Sequence, residues 1–345
     1  MVNMKRAVIA LLAATSLGLT ACQGTADQAG DATSSATSAA SEAASDAKDT
    51  AAGTIEVEDN HGVQTVPADP KAVVALDNRS FEILADWGVE LVAAPKKLIP
   101  PTIEEYKTDD SIVDLGNHRE PDLEALAAAQ PDLIVSGQRF QKYYEDLGKL
   151  APEAAIVEFE PKKGEPLDEE LRRHAEGLGK VFGKEAEAEK LIADFDAALE
   201  RAKAAYNGED TVMAVNVSGG DIGFIAPSVG RTYGPLFDLL GLKPALEVPE
   251  GSSNHKGDDI SVETIAESNP TWLLVLDRDA GTSKATEAGF KNAEQVLKEA
   301  EALANVTAVK EGNVYIAPSD TYTNESIITY TEILNAIADQ FEAAK

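Results

Sequence analysis

Two similar α/β lobes joined by a long rigid helix is the architecture this sequence predicts, and three observations predict it. The first is a motif that occurs twice. Leu123-Glu124-Ala125-Leu126-Ala127, followed by Pro131-Asp132-Leu133-Ile134-Val135, has a counterpart in Val262-Glu263-Thr264-Ile265-Ala266, followed by Pro270-Thr271-Trp272-Leu273-Leu274-Val275. Each copy reads as a short amphipathic helix, a proline stop and a buried strand. The second observation is the stretch between the copies. From Leu167 to Tyr206 the pattern is helical, broken only near Gly183, with Leu178, Val181, Leu191, Phe195 and Leu199 at helical spacing. The third is size: 345 residues, 43% of them hydrophobic, can bury a large core and favour two domains.

In chain order, the amino terminus reads as targeting rather than fold. Lys5 and Arg6 precede an apolar run, Ala7 to Ala14, too short for the roughly 20 residues of a spanning helix. Leu19-Thr20-Ala21-Cys22 follows, and Cys22 is the only cysteine, so no intramolecular disulfide can form. That order resembles the lipobox of bacterial lipoproteins. The resemblance implies a signal peptide over 1–21, cleavage before Cys22 and lipid on its sulfur; a plain secretory signal with an incidental cysteine is the alternative. Residues 22–53, rich in Ala, Ser, Thr, Gly and Asp and without aromatic residues, cannot bury enough surface to fold. As a coil they would reach roughly 30 Å, a tether holding a body off the outer face of the cytoplasmic membrane. A formal charge of −30 excludes nucleic acid as a partner.

The amino-terminal lobe is expected over 54–166. Thr54–Glu58 and Val63–Val66 form a hairpin about Asp59-Asn60-His61-Gly62. Strand Val73–Leu76, helix Ser80–Trp87 closed by Gly88 and strand Glu90–Ala94 come next. The first copy of the motif ends in the loop Ser136-Gly137-Gln138-Arg139, and Ala155–Phe159 adds a strand. The connector occupies 167–206. The second lobe, 207–345, opens with strand Thr211–Val217, a Gly219-Gly220 turn and strand Ile222–Ala226, then helix Pro235–Leu240 stopped by Gly241. After the second copy come a helix from Ala293 to Leu303, strand Asn313–Ile316, a loop Ser319–Asn324 and a final helix from Ser326. Ligands in open α/β sheets bind beyond the carboxyl ends of strands, so Arg278 and its counterpart after Val135 should face one cleft. Arg231, just ahead of a helix amino terminus, opposes the helix dipole unless an anion shares the site.

Gly230-Arg231 with Pro235–Gly241, His255-Lys256-Gly257, Asp277-Arg278 and Pro318–Tyr322, together with the lipobox, resemble the class III substrate-binding lipoproteins of bacterial ABC importers, in their ferric-siderophore branch. The resemblance implies a monomeric, membrane-anchored receptor, not an enzyme, that binds a ferric siderophore of the catecholate class between its lobes and passes it to an ABC permease. It implies an arginine triad, Arg139, Arg231 and Arg278, around the anionic complex. His255 and Tyr322 would complete the iron's shell where the siderophore leaves positions open. Glu124 and Glu263 would dock the permease. No intrinsic cofactor is implied, since the iron arrives with its chelator. Two departures stand out: Gln138 separates Arg139 from Gly137, and Thr323-Asn324-Glu325 replaces a glycine-rich run after Tyr322.

The chemistry is sound apart from the resemblance, because guanidinium stays charged and donates in a planar fork. Ordinary readings compete: Arg278 paired with Asp277 or Asp279, Arg231 capping a loop, Tyr322 packing, His255 solvated, Glu124 and Glu263 as helix-surface charges. His61, His118 and His174 read as surface or locally hydrogen-bonded. A haem receptor of the same fold is the alternative function. Four scattered histidines argue against a chelator of free Zn²⁺ or Mn²⁺. A tethered hydrolase would need a nucleophile motif that the sequence lacks.

Overall fold

An antiparallel hairpin, β1 (Thr54–Asp59) and β2 (Gly62–Pro67), opens the folded chain where the turn residues predict it. The computed structural model describes residues 53–345; the signal segment, Cys22 and residues 23–52 of the tether lie outside the described residues. Next come β3 (Val73–Ala75), α1 (Phe81–Asp86), β4 (Leu91–Ala94), α2 (Glu104–Thr108), β5 (Val113–Asp114), α3 (Leu123–Ala128), β6 (Leu133–Ser136), α4 (Tyr144–Leu150) and β7 (Ala155–Glu158). Strands β3 to β7 form a parallel sheet in the order β5-β4-β3-β6-β7. Its central strands are apolar on both faces because helices cover both.

The connector is α5 (Leu167–Phe182) and α6 (Glu185–Ala205), separated at Gly183, whose φ of 61° ends the first helix. The second sheet follows: β8 (Thr211–Ser218), β9 (Asp221–Ile225), α7 (Gly234–Leu240), β10 (Lys243–Pro244), α8 (Val262–Ser268), β11 (Trp272–Asp277), α9 (Ala293–Glu299), α10 (Thr307–Glu311), β12 (Val314–Ile316), α11 (Thr321–Asn324) and α12 (Ile327–Ala343). Its parallel order is β10-β8-β11-β12, with β9 antiparallel to β8. Helix α6 packs on α5, α7 and α12. Arg201 of α6 pairs with Asp339 and Glu342 of α12. No helix among the described residues is long and apolar enough to cross a membrane.

The repeated motif is a repeated structure. Asp122 caps α3 by accepting from the Ala125 N–H at 2.8 Å, and Ser261 caps α8 by accepting from Thr264 at 3.1 Å. Each helix is followed by a left-handed, non-glycine residue directly before the proline: Gln130 at φ 49° and Asn269 at φ 43°. β6 and β11 then sit inside their sheets, each with a parallel neighbour on both sides.

The burial is threefold. One apolar cluster runs from Phe81 and Val135 through Leu178 and Phe195 to Trp272 and Phe341, so both sheets share a core beneath the connector helices. Separate clusters lie under α3 and α4 and under α8 and α9. Two expectations need correction. The helix expected to reach Leu303 stops at Glu299, because Ala300 leaves helical geometry at ψ 85°, and Leu303 lies in a 3₁₀ turn, Glu301–Asn305. The loop expected at Ser319–Asn324 contains a helical turn, α11, closed by Asp320's carbonyl, which accepts from Thr323 and Asn324. A single polar turn carries no apolar periodicity to reveal it.

Candidate functional site

The loops at the carboxyl ends of the strands converge on a cavity of about 640 Å³, and all five ligand-contact residues expected from the sequence line it: Arg139, Arg231, His255, Arg278 and Tyr322. The repeat explains part of this. Arg139 and Arg278 each stand eight residues after the proline of their own unit, so equivalent strands deliver them from opposite lobes. Gln138, the extra residue, is absorbed by a left-handed turn at φ 43° that donates its N–H to Glu160 at 3.0 Å, and Arg139 still reaches the cavity.

Tyr322 is the hub. It is only 3% exposed. Its ring lies 4.3 Å from the guanidinium carbon of Arg231 and 4.9 Å from that of Arg278, and Arg139 donates to its hydroxyl at 3.5 Å. Two of these arginines are held by carboxylates. Arg278 pairs with Asp279 at 2.8 Å and donates to Ser218 Oγ at 3.3 Å, while its buried Nε has no partner among the described residues. Of the two neighbours open to Arg278, Asp279 is therefore the partner; Asp277 instead accepts from the backbone of Ala280 and Ala293. Arg231 pairs with Glu325 at 2.6 Å and donates to the Tyr322 carbonyl at 3.1 Å. Burial would raise the Glu325 carboxyl, but the charge and hydrogen bonds of Arg231 outweigh it and hold the group below the usual range. These pairings fix the guanidinium groups in place, which reduces the ordering cost of binding.

His255 is exposed at the rim. Its loop is pinned to β8 and β9: Asn216 of β8 donates to the His255 carbonyl at 2.9 Å, and Phe224 of β9 and Asp258 exchange backbone hydrogen bonds at 2.9 and 2.7 Å. A Cβ on Gly223 would sit 2.2 Å from the Lys256 carbonyl oxygen, so only glycine allows this approach. Desolvation, then Arg278, Lys256, Arg231 and Arg139, push the imidazole below its ordinary range. The neutral ring that results can donate an electron pair to a metal. Among the described residues no cluster of three or more His, Cys, Asp or Glu side chains could hold a metal. His255 and Tyr322 suit a shell that another molecule largely supplies.

Three lining cations or imidazoles escaped the sequence reading: Lys97, His118 and Arg119. His118, expected at the surface or in a local hydrogen bond, lines the cleft, and its buried Nδ1 has no partner among the described residues. Tyr143 anchors this loop by donating to the His118 and Arg119 carbonyls at 3.1 and 3.2 Å. No motif marks the loop; only the hairpin-like return of β5 toward α3 brings it there. His174 is locally hydrogen-bonded, to Asp77 at 3.0 Å and Ser80 at 3.2 Å, but it is buried rather than on the surface. Glu124 and Glu263 are exposed at the second position of α3 and α8, outside the cleft, with no ion pair among the described residues.

Comparison with known proteins agrees with this geometry. The ferric-anguibactin-binding protein FatB of Vibrio anguillarum is 29% identical over 297 residues, 84% of this chain and 88% of that protein. The petrobactin-binding protein YclQ of Bacillus subtilis is 28% identical over 289 residues, 82% of this chain and 86% of the relative. The crystal structure of the periplasmic catecholate-siderophore binding protein VctP from Vibrio cholerae superposes with a TM-score of 0.71 at 27% identity, covering 82% of this chain and 99% of VctP. The model of one family, described as periplasmic binding protein, matches residues 73–321. With both sheets and every cleft arginine inside that match, the chain belongs to the periplasmic binding protein family.

Proposed function

We propose that this protein is an extracytoplasmic receptor, not an enzyme, that captures a ferric siderophore of the catecholate class between its lobes and delivers it to an ABC permease. The observation that carries the reading is the convergence of Arg139, Arg231 and Arg278 on Tyr322 within one cavity. A catecholate-bound Fe(III) is hard, oxygen-ligated and anionic, and forked guanidinium donors match it in charge and shape. In a cleft of lowered dielectric, nearby cations outweigh a distant acidic surface that salt screens over about 8 Å. Relatives named for ferric anguibactin and petrobactin, and a structural neighbour named for catecholate siderophores, support the same class. His255 and Tyr322 complete the iron's shell when the chelator leaves positions open. Glu124 and Glu263 dock the permease, one from each lobe. Lipid on Cys22 anchors the receptor, which acts as a monomer and carries no cofactor of its own.

Haem gains no support from the lining. A porphyrin needs apolar walls, and Leu98 is the one aliphatic side chain among residues that include four arginines and a lysine. Fluorescence-quenching titration against ferric catecholates, ferric hydroxamates and haem decides the matter. Saturable quenching strongest with catecholates is expected, and silence toward every iron chelate overturns the reading.

A further inference from the structure

Behind the cleft floor lies a partly buried row of alternating charges that crosses from one lobe to the other, with Glu325 its buried member. Glu160, at the end of the first sheet, accepts two hydrogen bonds from Arg79 Nη1, each at 3.0 Å. Arg79 Nη2 lies 3.8 Å from Glu325 of the second lobe. Glu325 in turn accepts from Arg231 Nε at 3.1 Å and Nη2 at 2.6 Å, and from Thr232 Oγ1 at 2.5 Å. The Glu325 side chain is 4% exposed and does not line the cavity, whereas Arg231 does. Two carboxylates and two guanidinium groups sum to zero, so Arg231 offers the ligand donors without net charge.

The remaining cations fall into two groups. Arg278 pairs with Asp279, a carboxylate that Lys284 also approaches at 3.7 Å. Lys97, Arg119 and Arg139 make no ion pair among the described residues. The lining cations that make no ion pair among the described residues therefore all come from the first lobe. Glu325 is the buried carboxylate whose removal would change the charge of the cleft without removing any group that touches the ligand. Its backbone, at φ 50°, suits glutamine as well as glutamate.

We propose that Glu325 is a specificity-determining residue: by cancelling Arg231 it sets the net charge of the ferric complex that the cleft prefers. The inference rests on the cleft being a ferric-complex site. Its test measures the ratio of affinities for a trianionic ferric tris-catecholate and a neutral ferric tris-hydroxamate in wild type, Glu325→Gln, Arg231→Gln and the double variant. Taking the ratio removes effects common to both chelates. Glu325→Gln should raise it about tenfold, the scale of one added charge at short range in a partly screened site, and less at high salt. Arg231→Gln should lower it, and the double variant, with its charge restored, should return it to the wild-type value. A ratio that stays constant in Glu325→Gln while both affinities fall together would show a residue that only positions Arg231, and would overturn the proposal. If Glu325→Gln does not fold, the double variant is compared with Arg231→Gln; an equal ratio in those two overturns it as well. Wild-type protein that binds neither chelate overturns the proposed function and this inference with it.

Discussion

At the scale of single residues, charge placement and packing are inseparable in this cleft. Tyr322 has the burial that the packing reading expects of it, and at the same time it lines the cleft against two arginines. Arg278 forms the ordinary ion pair expected of it, whereas Arg231, expected to cap a loop, pairs with Glu325, 94 residues away, and those pairs are what aim them. His255 yields a pH prediction. Desolvation and the nearby cations hold its imidazole below the ordinary range, so the ring is neutral, and able to ligate, at neutral pH. Affinity for a ferric complex with open coordination positions should hold at neutral pH and fall as pH drops through the lowered value, a more acid point than an unperturbed histidine would give. Titrations between about pH 5 and 8 should show this fall in wild type and a flatter profile in His255→Gln. A complex with a filled shell should not distinguish the two proteins. Coincident profiles with the open complex would remove His255 from the iron's shell.

At the scale of elements, the duplicated helix–strand unit places charged side chains at both of its ends. The carboxyl ends of β6 and β11 lead to Arg139 and Arg278 in the cleft, while the first turns of α3 and α8 present Glu124 and Glu263 outside it. Substituting both glutamates by alanine should leave chelate affinity within about twofold, because exposed side chains away from a site rarely alter it. Uptake by cells, or stimulation of permease ATPase in proteoliposomes, should fall about tenfold or more, in line with loss of charged contacts at an interface. Unimpaired transport by the double variant would assign those glutamates to the helix surface alone. The unit was legible because its glutamate-to-proline spacing and strand pattern lie in local sequence. The Lys97 and His118-Arg119 loops were not, because each reaches the cleft through a turn without periodicity.

At the scale of the whole molecule, two structures restrain the lobes. One is the apolar core they share beneath α5, α6 and α12. The other is a polar seam on the loop that carries Tyr322. Asn78 donates to the Thr323 carbonyl at 2.9 Å and Thr102 to Asp320 at 2.6 Å, and Glu82 accepts from Asn324 and Ser326 at 2.8 and 2.9 Å. Opening the lobes would break these bonds in a partly buried setting, at a cost of about 1 kcal/mol each. Small-angle scattering should therefore show a change in radius of gyration below about 1 Å on adding ferric chelate. A change of several ångströms would mean that the seam parts and that the connector bends.

The family resemblance carried by its motifs supplied the five side chains that meet in one cleft; by itself the sequence determined the two-lobe α/β plan and the helical connector with its break at Gly183. It could do so because hydrophobic periodicity, proline stops and the repeated motif are local signals. Only the tertiary structure decided which carboxylate neutralises which arginine, that Lys97, His118 and Arg119 join the site, and that Glu325 binds the lobes together behind it. Those outcomes depend on contacts between residues far apart in the chain, such as Arg79 with Glu325, and burial sets their strength: an ion pair withdrawn from water is governed by its surroundings, which no stretch of sequence contains.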